Sequence, residues 1–450
     1  MPEPIPLIAL PLADGPQRAR VDAADLFHRL FGDASTAFWL DAGADADSGW
    51  SILGTGAIET DPARVRAVRL DRPIGGAAEA PVPFRGGWVG WLPYETGAAA
   101  CGAPTAASDD APVWVAATRA IAIDHHTGTV YALAGTDDVD TWCDSVRDAL
   151  AEGIRSVSRG ESDAAAPVTA DARHGVTEYG ELVERCRAAI ERGDAYQLCL
   201  TTRFTVPRPD DPFSAYLRLR AATPAHHGGY LRAGERHLLS ASPEQFVAVS
   251  GGVVSTSPIK GTRPRGSTPE EDARLAEELR TDAKERAENV MIVDLMRNDL
   301  SHVGVPGSVQ VERLWQVESY PAVHQLVSTV SAQLRPGARF GDLCDAAFPA
   351  GSMTGAPKLS AMTILHELER APRGVYSGCF GHVGLDGSVD LAMVIRSIVI
   401  DTEAAVVGAG GGITWLSQAR AETAEVATKA HAPLAAVGAV LPPEWAVLRG

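Results

Sequence analysis

Two strand-like runs, Phe246–Ser250 and Val253–Ser257, are joined by Gly251-Gly252, and that junction leaves the chain little choice. A two-residue glycine connection favours a primed turn, so the runs fold into a tight antiparallel hairpin. The second run leads into Ser257-Pro258-Ile259-Lys260-Gly261-Thr262-Arg263-Pro264-Arg265-Gly266, where a lysine, a hydroxyl and two arginines make a cationic cradle for a small anionic ligand. In strict register Glu244 faces Ile259 and Lys260 turns to the other face; a one-residue bulge brings Glu244 and Lys260 together. The residues fit either register, and a lysine near a strand end also reads simply as solvated.

Upstream, residues 1–155 read as short strands with a few helices. Ala37–Asp41 and Trp50–Gly54 form a strand pair, Phe84–Glu95 is aromatic and glycine-rich, and a helix over Asp137–Gly153 closes the segment. Between Ser156 and Gly175 the composition shifts to Ser, Ala, Asp and Gly without apolar periodicity, which is linker chemistry. The expected organisation is an N-terminal subdomain (1–155), a linker (156–175) and a catalytic domain (176–450). A helix follows with Thr177 as N-cap, apolar positions Leu182, Val183, Cys186, Ala189 and Ile190, and Gly193 as its stop. The strand Tyr196–Val206 then alternates Gln197, Cys199 and Thr201 with Tyr196, Leu198 and Leu200. Gln197 reads equally as a pocket group or as a polar side chain on a strand face.

Thr268-Pro269-Glu270-Glu271 is a capping box with proline at the first helical position, and a second helix is predicted over Thr281–Leu300. On it Glu285 and Glu288, three apart, share a face; Glu422 and Glu425 repeat the spacing on a helix beginning near Ser417. Each pair alone reads as a solvated helix face. Both pairs together, near glycine-rich loops, suggest four carboxylates converging on a hard cation such as Mg²⁺.

Several function classes are excluded. A net charge of −17 without a basic stripe argues against nucleic acid. Six scattered cysteines lack CxxC spacing and read as buried free thiols. The opening Met1-Pro2-Glu3-Pro4-Ile5-Pro6 lacks a signal-peptide pattern and no apolar run reaches membrane-spanning length, so a cytoplasmic chain is expected. Gly351–Lys358 lacks the Gly-Lys-Ser/Thr ending of a phosphate loop, and Pro357 removes an N–H that phosphates need. Gly408–Ile413 has Ile413 where a dinucleotide fingerprint needs its third glycine, although its backbone N–H groups suit a carboxylate.

The ordered series DAYQLCLTTRF (194–204), SPEQF (242–246), SPIKGTRPRG (257–266), ENVMIVDLMRNDL (288–300), YPAVHQLVST (320–329), FPAGSMTGAPK (348–358), GVYSGCFGH (374–382), VIRS (394–397) and GAGGGI (408–413) resembles the chorismate-utilising enzymes. That family comprises the anthranilate, aminodeoxychorismate, isochorismate and salicylate synthases. The resemblance implies an α+β fold of two stacked, mostly antiparallel sheets with outer helices and the pocket between them. It also implies that Glu285, Glu288, Glu422 and Glu425 surround Mg²⁺, with Glu288 and Glu425 as direct ligands holding the ring carboxylate of chorismate. Tyr376, Arg396 and the Gly410, Gly411 and Gly412 backbone match the enolpyruvyl carboxylate site, and Lys429 matches a further cation of the motif. His324 matches a histidine near the C4 hydroxyl; Ser352, Thr262 and the adjoining Gly261 match the pocket lining.

Two positions discriminate within the family. The water-adding members resemble this chain except for a lysine base where it has Gln197, and a neutral amide cannot take a proton from water. At position 260 anthranilate synthases typically have alanine, whereas aminodeoxychorismate synthases share the lysine, so the resemblance points to 4-amino-4-deoxychorismate, with anthranilate as the alternative. The implied mechanism has Lys260, as the free amine, attack C2 while the C4 hydroxyl leaves with a general acid near Glu244 or His324; a purely electrostatic Lys260 is the simpler form. No glutaminase signature is present, so a separate glutamine amidotransferase subunit is the expected ammonia source. A non-catalytic binding protein and a metal-dependent hydrolase are the rivals from other classes. Departures fall at Trp39-Leu40-Asp41-Ala42 and Thr223–His227, where tryptophan-inhibited members differ, and at Thr414–Ser417 beside the glycine run.

Overall fold

The computed structural model describes residues 6–12, 21–44, 46–71, 81–152, 167–320 and 323–449. Residues 1–5, read above for a leader, and positions 156–166 of the expected linker lie outside the described residues. The hairpin forms as its turn dictates. Ser250 pairs with Val253, Val249 with Val254 and Ala248 with Ser255. Gly251 and Gly252 have φ of 57° and 79°, the left-handed conformations of a primed two-residue turn.

Among the described residues, 20 strands belong to one network of paired strands. It divides at the 12-residue strand Val113–Asp124. Val115–Asp124 pairs with Trp50–Ile58, while Val113–Ala116 pairs with Trp88–Trp91, so two sheets leave one long strand. The first continues through Thr36–Asp41, His227–Ala233, Arg236–Ser242, Ser397–Ile400 and Ala404–Ile413 to Gln197–Pro207. The second continues through Cys379–Gly384, Val389–Met393 and the hairpin to Val323–Gln333 and Ile259–Pro264.

Phe38, Leu231 and Leu238 of the first sheet meet Val89, Trp91 and Phe380 of the second in a shared apolar layer. Helices Val176–Glu191 and Ala419–Ala436 cover the first sheet's outer face through Tyr179, Leu182, Val426 and Ala430. Helix Ala283–Ser301 covers the second through Ile292, Val293 and Met296. Each such side chain contributes about 1.5–3 kcal/mol by leaving water. The architecture is therefore α+β, two stacked and mostly antiparallel sheets with outer helices. Strand Gln197–Pro207 lies where two cores meet: Leu198, Leu200 and Phe204 enter one, and Cys199 enters the other.

Some elements differ from the sequence expectation. Thr36–Asp41 pairs with His227–Ala233, and Gly87–Leu92 with Cys379–Gly384, so no sheet boundary separates the first 155 residues from the rest. In the expected linker, Asp171–Ala172 pairs with Phe204–Thr205, and Val168–Thr169 runs parallel to Ala439–Val440. Backbone pairing at a sheet edge needs no apolar period, which is why composition does not reveal it. Helix Val176–Glu191 starts after Gly175 with no side-chain cap, placing Thr177 inside it, while Gly193 at φ 84° does end it. Helix Ala283–Ser301 is capped by Asp282, whose carboxylate accepts from Lys284 N and Glu285 N. Cys143, Cys186, Cys199, Cys344 and Cys379 are buried and unpaired; Cys101 is half-buried. No helix among the described residues is long and apolar enough to cross a membrane.

Because Gly251 requires φ near +57°, a Gly251→Val variant is expected to lose ~1–2 kcal/mol in denaturant unfolding, whereas Gly251→Asn, which tolerates that conformation, retains most of it. Equal stability of the two variants would contradict the primed turn.

Candidate active site

Bulges fall at both the Lys260 and the Glu244 segments. Against Val323–Gln333, Ile259 pairs with Val327 but Thr262 with Gln325, leaving one extra residue on the Lys260 strand. Gly261, at φ 81°, sits in that irregularity. It needs to be glycine: a Cβ there would lie 2.7 Å from Leu279 and 3.0 Å from Glu285. A second shift, between Gln245 and Val247, falls next to Glu244. Both segments thus carry an irregularity against their other partner strands, and the Lys260 charge acts on the Glu244 carboxyl.

Three groups converge here. Lys260 Nζ lies 3.6 Å from the place a Cβ on Gly412 would occupy, and Gln197 Nε2 lies 2.7 Å from it. Gln197 is 0% exposed, and neither its amide nitrogen nor its amide oxygen has a hydrogen-bond partner. A buried amide left unpaired costs about 1–3 kcal/mol, so this one is built to meet something that enters the pocket. Lys260 has no ion-pair or hydrogen-bond partner for its ammonium among the described residues. Burial pushes the Glu244 carboxyl up, while a 2.9 Å hydrogen bond from Ser352 Oγ and the Lys260 and Lys429 charges pull it back.

The four glutamates border the same region from two helices. Burial raises Glu288, Lys260 and Lys284 oppose the rise, and Glu285 and Glu422 add to it. Burial likewise raises Glu422, against a hydrogen bond with Ser417, and Glu425 adds to the rise. Burial alone would raise Glu425 too, but Lys429 Nζ at 2.6 Å outweighs it and holds the carboxyl low. Glu425 is 52% exposed, placing it toward the open side. Glu285 is shared with Arg263 at 3.7 Å, and Lys284 stands 3.8 Å from Glu288. Glu422 and Glu425 both approach Gly411, 3.2 and 3.7 Å from where its Cβ would be. The donor set is all oxygen, which suits a hard divalent cation. Among the described residues, no three acidic, histidine or cysteine side chains have closed into metal-holding geometry.

The glycine run forms the wall against which Glu422 and Glu425 stand. Ala404–Ile413 pairs with Gln197–Pro207 along its whole length, but with Ser397–Ile400 only at Ala405–Val407. The neighbouring strand starts just after Arg396, whose φ of 51° turns the chain away. Beyond Val407 one edge of the glycine strand is thus open, and every second backbone group on it points away from the ladder. Gly410 O accepts from Lys429 Nζ at 2.8 Å. Tyr376 packs its ring on Gly408, where a Cβ would stand 2.1 Å from it. Burial lowers the Arg396 guanidinium, with Tyr376 and Glu425 opposing.

Two expected residues are placed elsewhere. His324 is buried with both ring nitrogens committed, Nδ1 to Ser319 Oγ at 2.8 Å and Nε2 to Asp272 Oδ1 at 2.9 Å, so it has none free for a substrate hydroxyl. Strand alternation turns it toward the Asp272 helix, a direction its motif does not encode. Thr262 is exposed. Lys284 and Ser417 act on the acidic cluster and were not singled out from sequence; the four-residue spacing from Lys284 to Glu288 is the signal that could have found the first. At the N-terminal departure, Asp41 accepts from Arg220 Nε at 2.5 Å and from Tyr216 Oη at 3.0 Å. Thr414 N donates to Ser417 Oγ at 3.0 Å in a tight turn that leaves Trp415 and Leu416 exposed.

Residues 37–435 match the family described as chorismate binding enzyme. The chain is 39% identical to the aminodeoxychorismate synthase of Streptomyces pristinaespiralis, covering 92% of this chain and 64% of that one. It therefore spans less than two thirds of the length of that relative. It is 37% identical to aminodeoxychorismate synthase component 1 of Escherichia coli, covering 82% and 81%. Among solved structures, anthranilate synthase component I from Streptococcus pneumoniae superposes with a TM-score of 0.72 at 27% identity, covering 96% of this chain and 93% of that one.

A carboxyl whose folded pKa is raised destabilises the fold once it is forced to ionise, so removing that charge at neutral pH stabilises. Glu422→Gln is therefore expected to raise the melting temperature at pH 7 in chelator by roughly 1–3 °C. It should also shrink the further rise that the parent shows on adding magnesium. An unchanged magnesium response would remove Glu422 from the cation site.

Proposed function

We propose, since the chain belongs to the chorismate-binding enzymes, that it is the aminating component of an aminodeoxychorismate synthase, converting chorismate and ammonia to 4-amino-4-deoxychorismate. One observation carries the reading: Lys260 occupies the pocket beside Glu244 and Gln197, at the position where the ortho-aminating members resemble one another in having alanine. The relatives named aminodeoxychorismate synthase support it. A cytoplasmic setting and a separate glutamine amidotransferase subunit belong to the same reading; the name component 1 of the E. coli relative supports a further subunit.

The chain's own groups account for the steps. Arg396 and the open edge of the glycine strand receive the enolpyruvyl carboxylate, with Tyr376 beside it. Glu285, Glu288, Glu422 and Glu425 are the residues that would hold Mg²⁺, which supplies positive charge for the ring carboxylate and the departing hydroxyl. Lys260 Nζ, as the free amine, bonds to C2; the ring's conjugated double bonds shift and the C4–O bond breaks. Glu244, whose carboxyl burial raises, is the better placed acid, since His324 has no free nitrogen; its proton leaves with the hydroxyl as water. Ammonia then bonds at C4, the double bonds shift back, and Lys260 is expelled, so nitrogen ends para to the ring carboxylate. Gln197 can hydrogen-bond a nucleophile but cannot deprotonate water, which disfavours hydroxylation.

Incubation with chorismate, magnesium and an ammonium salt is expected to yield 4-amino-4-deoxychorismate by chromatography, with no turnover when glutamine replaces ammonium. Lys260→Ala should lose on the order of 100-fold in rate, and a Lys260 adduct should be trappable by mass spectrometry. Fluorescent anthranilate as the product would instead favour the ortho-aminating reading.

A further inference from the structure

Behind the pocket wall, away from every group used above, lies a buried ion pair. Arg373 and Glu369 have side chains 1% and 3% exposed; Glu369 is the last residue of the helix Lys358–Glu369, and Arg373 lies beyond the left-handed Arg370 that ends it. Arg373 donates Nε to Glu369 Oε2 at 2.9 Å and Nη2 to Glu369 Oε1 at 2.7 Å. Burying two charges is costly, and a pair alone seldom repays it unless the remaining donors and acceptors are also satisfied. Here they are satisfied by the backbone of the pocket itself.

Arg373 Nη2 also donates to Cys199 O at 2.8 Å, and Nη1 to Met353 O at 2.6 Å. Glu369 Oε1 accepts from Thr201 N at 2.9 Å and Thr201 Oγ at 3.0 Å. The main chain of Arg373 is itself fixed: its N–H and that of Gly374 donate to Glu95 at 2.7 and 3.0 Å. The guanidinium carbon lies 4.4 Å from the Tyr94 ring centroid, a cation–π contact on one face. Three pocket segments are thus tied to one ion pair. Gln197 is two residues before Cys199, Ser352 is next to Met353, and Tyr376 is three residues after Arg373.

We infer that Arg373 and Glu369 are positioning residues that set the spacing of Gln197, the Ser352–Glu244 hydrogen bond and Tyr376. The forked guanidinium is what the task needs, because it reaches two carbonyls and a carboxylate in one plane, and an ammonium cannot. The inference deepens the proposed amination and rests on it for its kinetic readout. Neither residue touches substrate; they act through the segments they hold.

The test is Arg373→Lys, which keeps the charge, beside a double Arg373→Met/Glu369→Met variant, which removes both charges and so avoids stranding one. With the parent turning over chorismate and ammonium, folded Arg373→Lys should lose roughly 100-fold in kcat, the penalty of about 1 Å of misplacement, with KM within a few-fold and an unshifted pH profile. The double variant leaves the Thr201 N–H and the Cys199 and Met353 carbonyls without partners, so it should melt below the parent but remain folded, and show the same kcat loss. Either variant folded with parental kcat overturns the positioning role; so does a loss confined to melting temperature. If the parent makes no product from chorismate, the functional reading fails instead. In that case amide hydrogen exchange at Thr201, faster in both variants than in the parent if the pair holds that strand, still tests the clamp.

Discussion

The structure around the pocket is governed by charge of one sign gathered where water is scarce. A chain of net charge −17 places four glutamates along two helices facing a single space, and burial and mutual repulsion push Glu288 and Glu422 up. Such an arrangement persists only if cations are interleaved, and they are. Lys429 pairs with Glu425 while holding Gly410 O, Arg263 leans on Glu285, and Lys284 on Glu288. Lys260 acts on Glu244, Glu288 and Glu425 without forming an ion pair with any of them. A dianionic substrate entering with a divalent cation would find charges of both signs in one field, because Glu422, Glu425 and Lys429 meet at the glycine strand beside Arg396.

That field depends on backbone detail. Gly261 bulges the Lys260 strand, Gly408 gives Tyr376 its seat, and Gly411 and Gly412 leave room for Glu422, Gln197 and Lys260. At Gly408 and Gly412 a methyl group would overlap Tyr376 and Gln197, at Gly261 it would press on Leu279 and Glu285, and at Gly411 it would crowd Glu422. The glycine run is therefore neither a nucleotide loop nor a flexible hinge; it is a rigid strand made thin so that side chains from three directions can crowd against it.

The local parts of this were legible in the sequence, and the long-range parts were not. Gly251-Gly252 named its turn, Thr268 and Pro269 named a helix start, and the i, i+3 glutamates named a shared face, because each depends on neighbours within four residues. The bulge at Gly261 is not legible locally because it is set against the partner strand Val323–Gln333, far along the chain. His324 is a similar case: its motif gives its strand, not the face it takes or the Asp272 and Ser319 that claim its nitrogens. The expected boundary at 156–175 followed composition, whereas the sheets join residues 36–41 to 227–233 across it. The Arg373–Glu369 pair is nearly silent in sequence, since Arg373 lies past the helix end, beyond Arg370 and Pro372, and no local pattern says that its side chain folds back on Glu369.

On the proposed reading, the choice of isomer follows from how space is shared near Gly412. Were residue 260 alanine, the region between Gly412 and Glu244 would be open, and a nucleophile admitted there would meet C2 directly, giving the ortho product. Lysine fills that region with the chain's own nucleophile. C2 is then occupied during the first displacement, and the incoming ammonia is left with C4. Gln197 contributes by being unable to deprotonate water, so the amine is not outcompeted by the far more abundant solvent. Regiochemistry thus needs no separate recognition of the two carbons. It needs one side chain of the right length, held by a bulge, against a strand with nothing in the way.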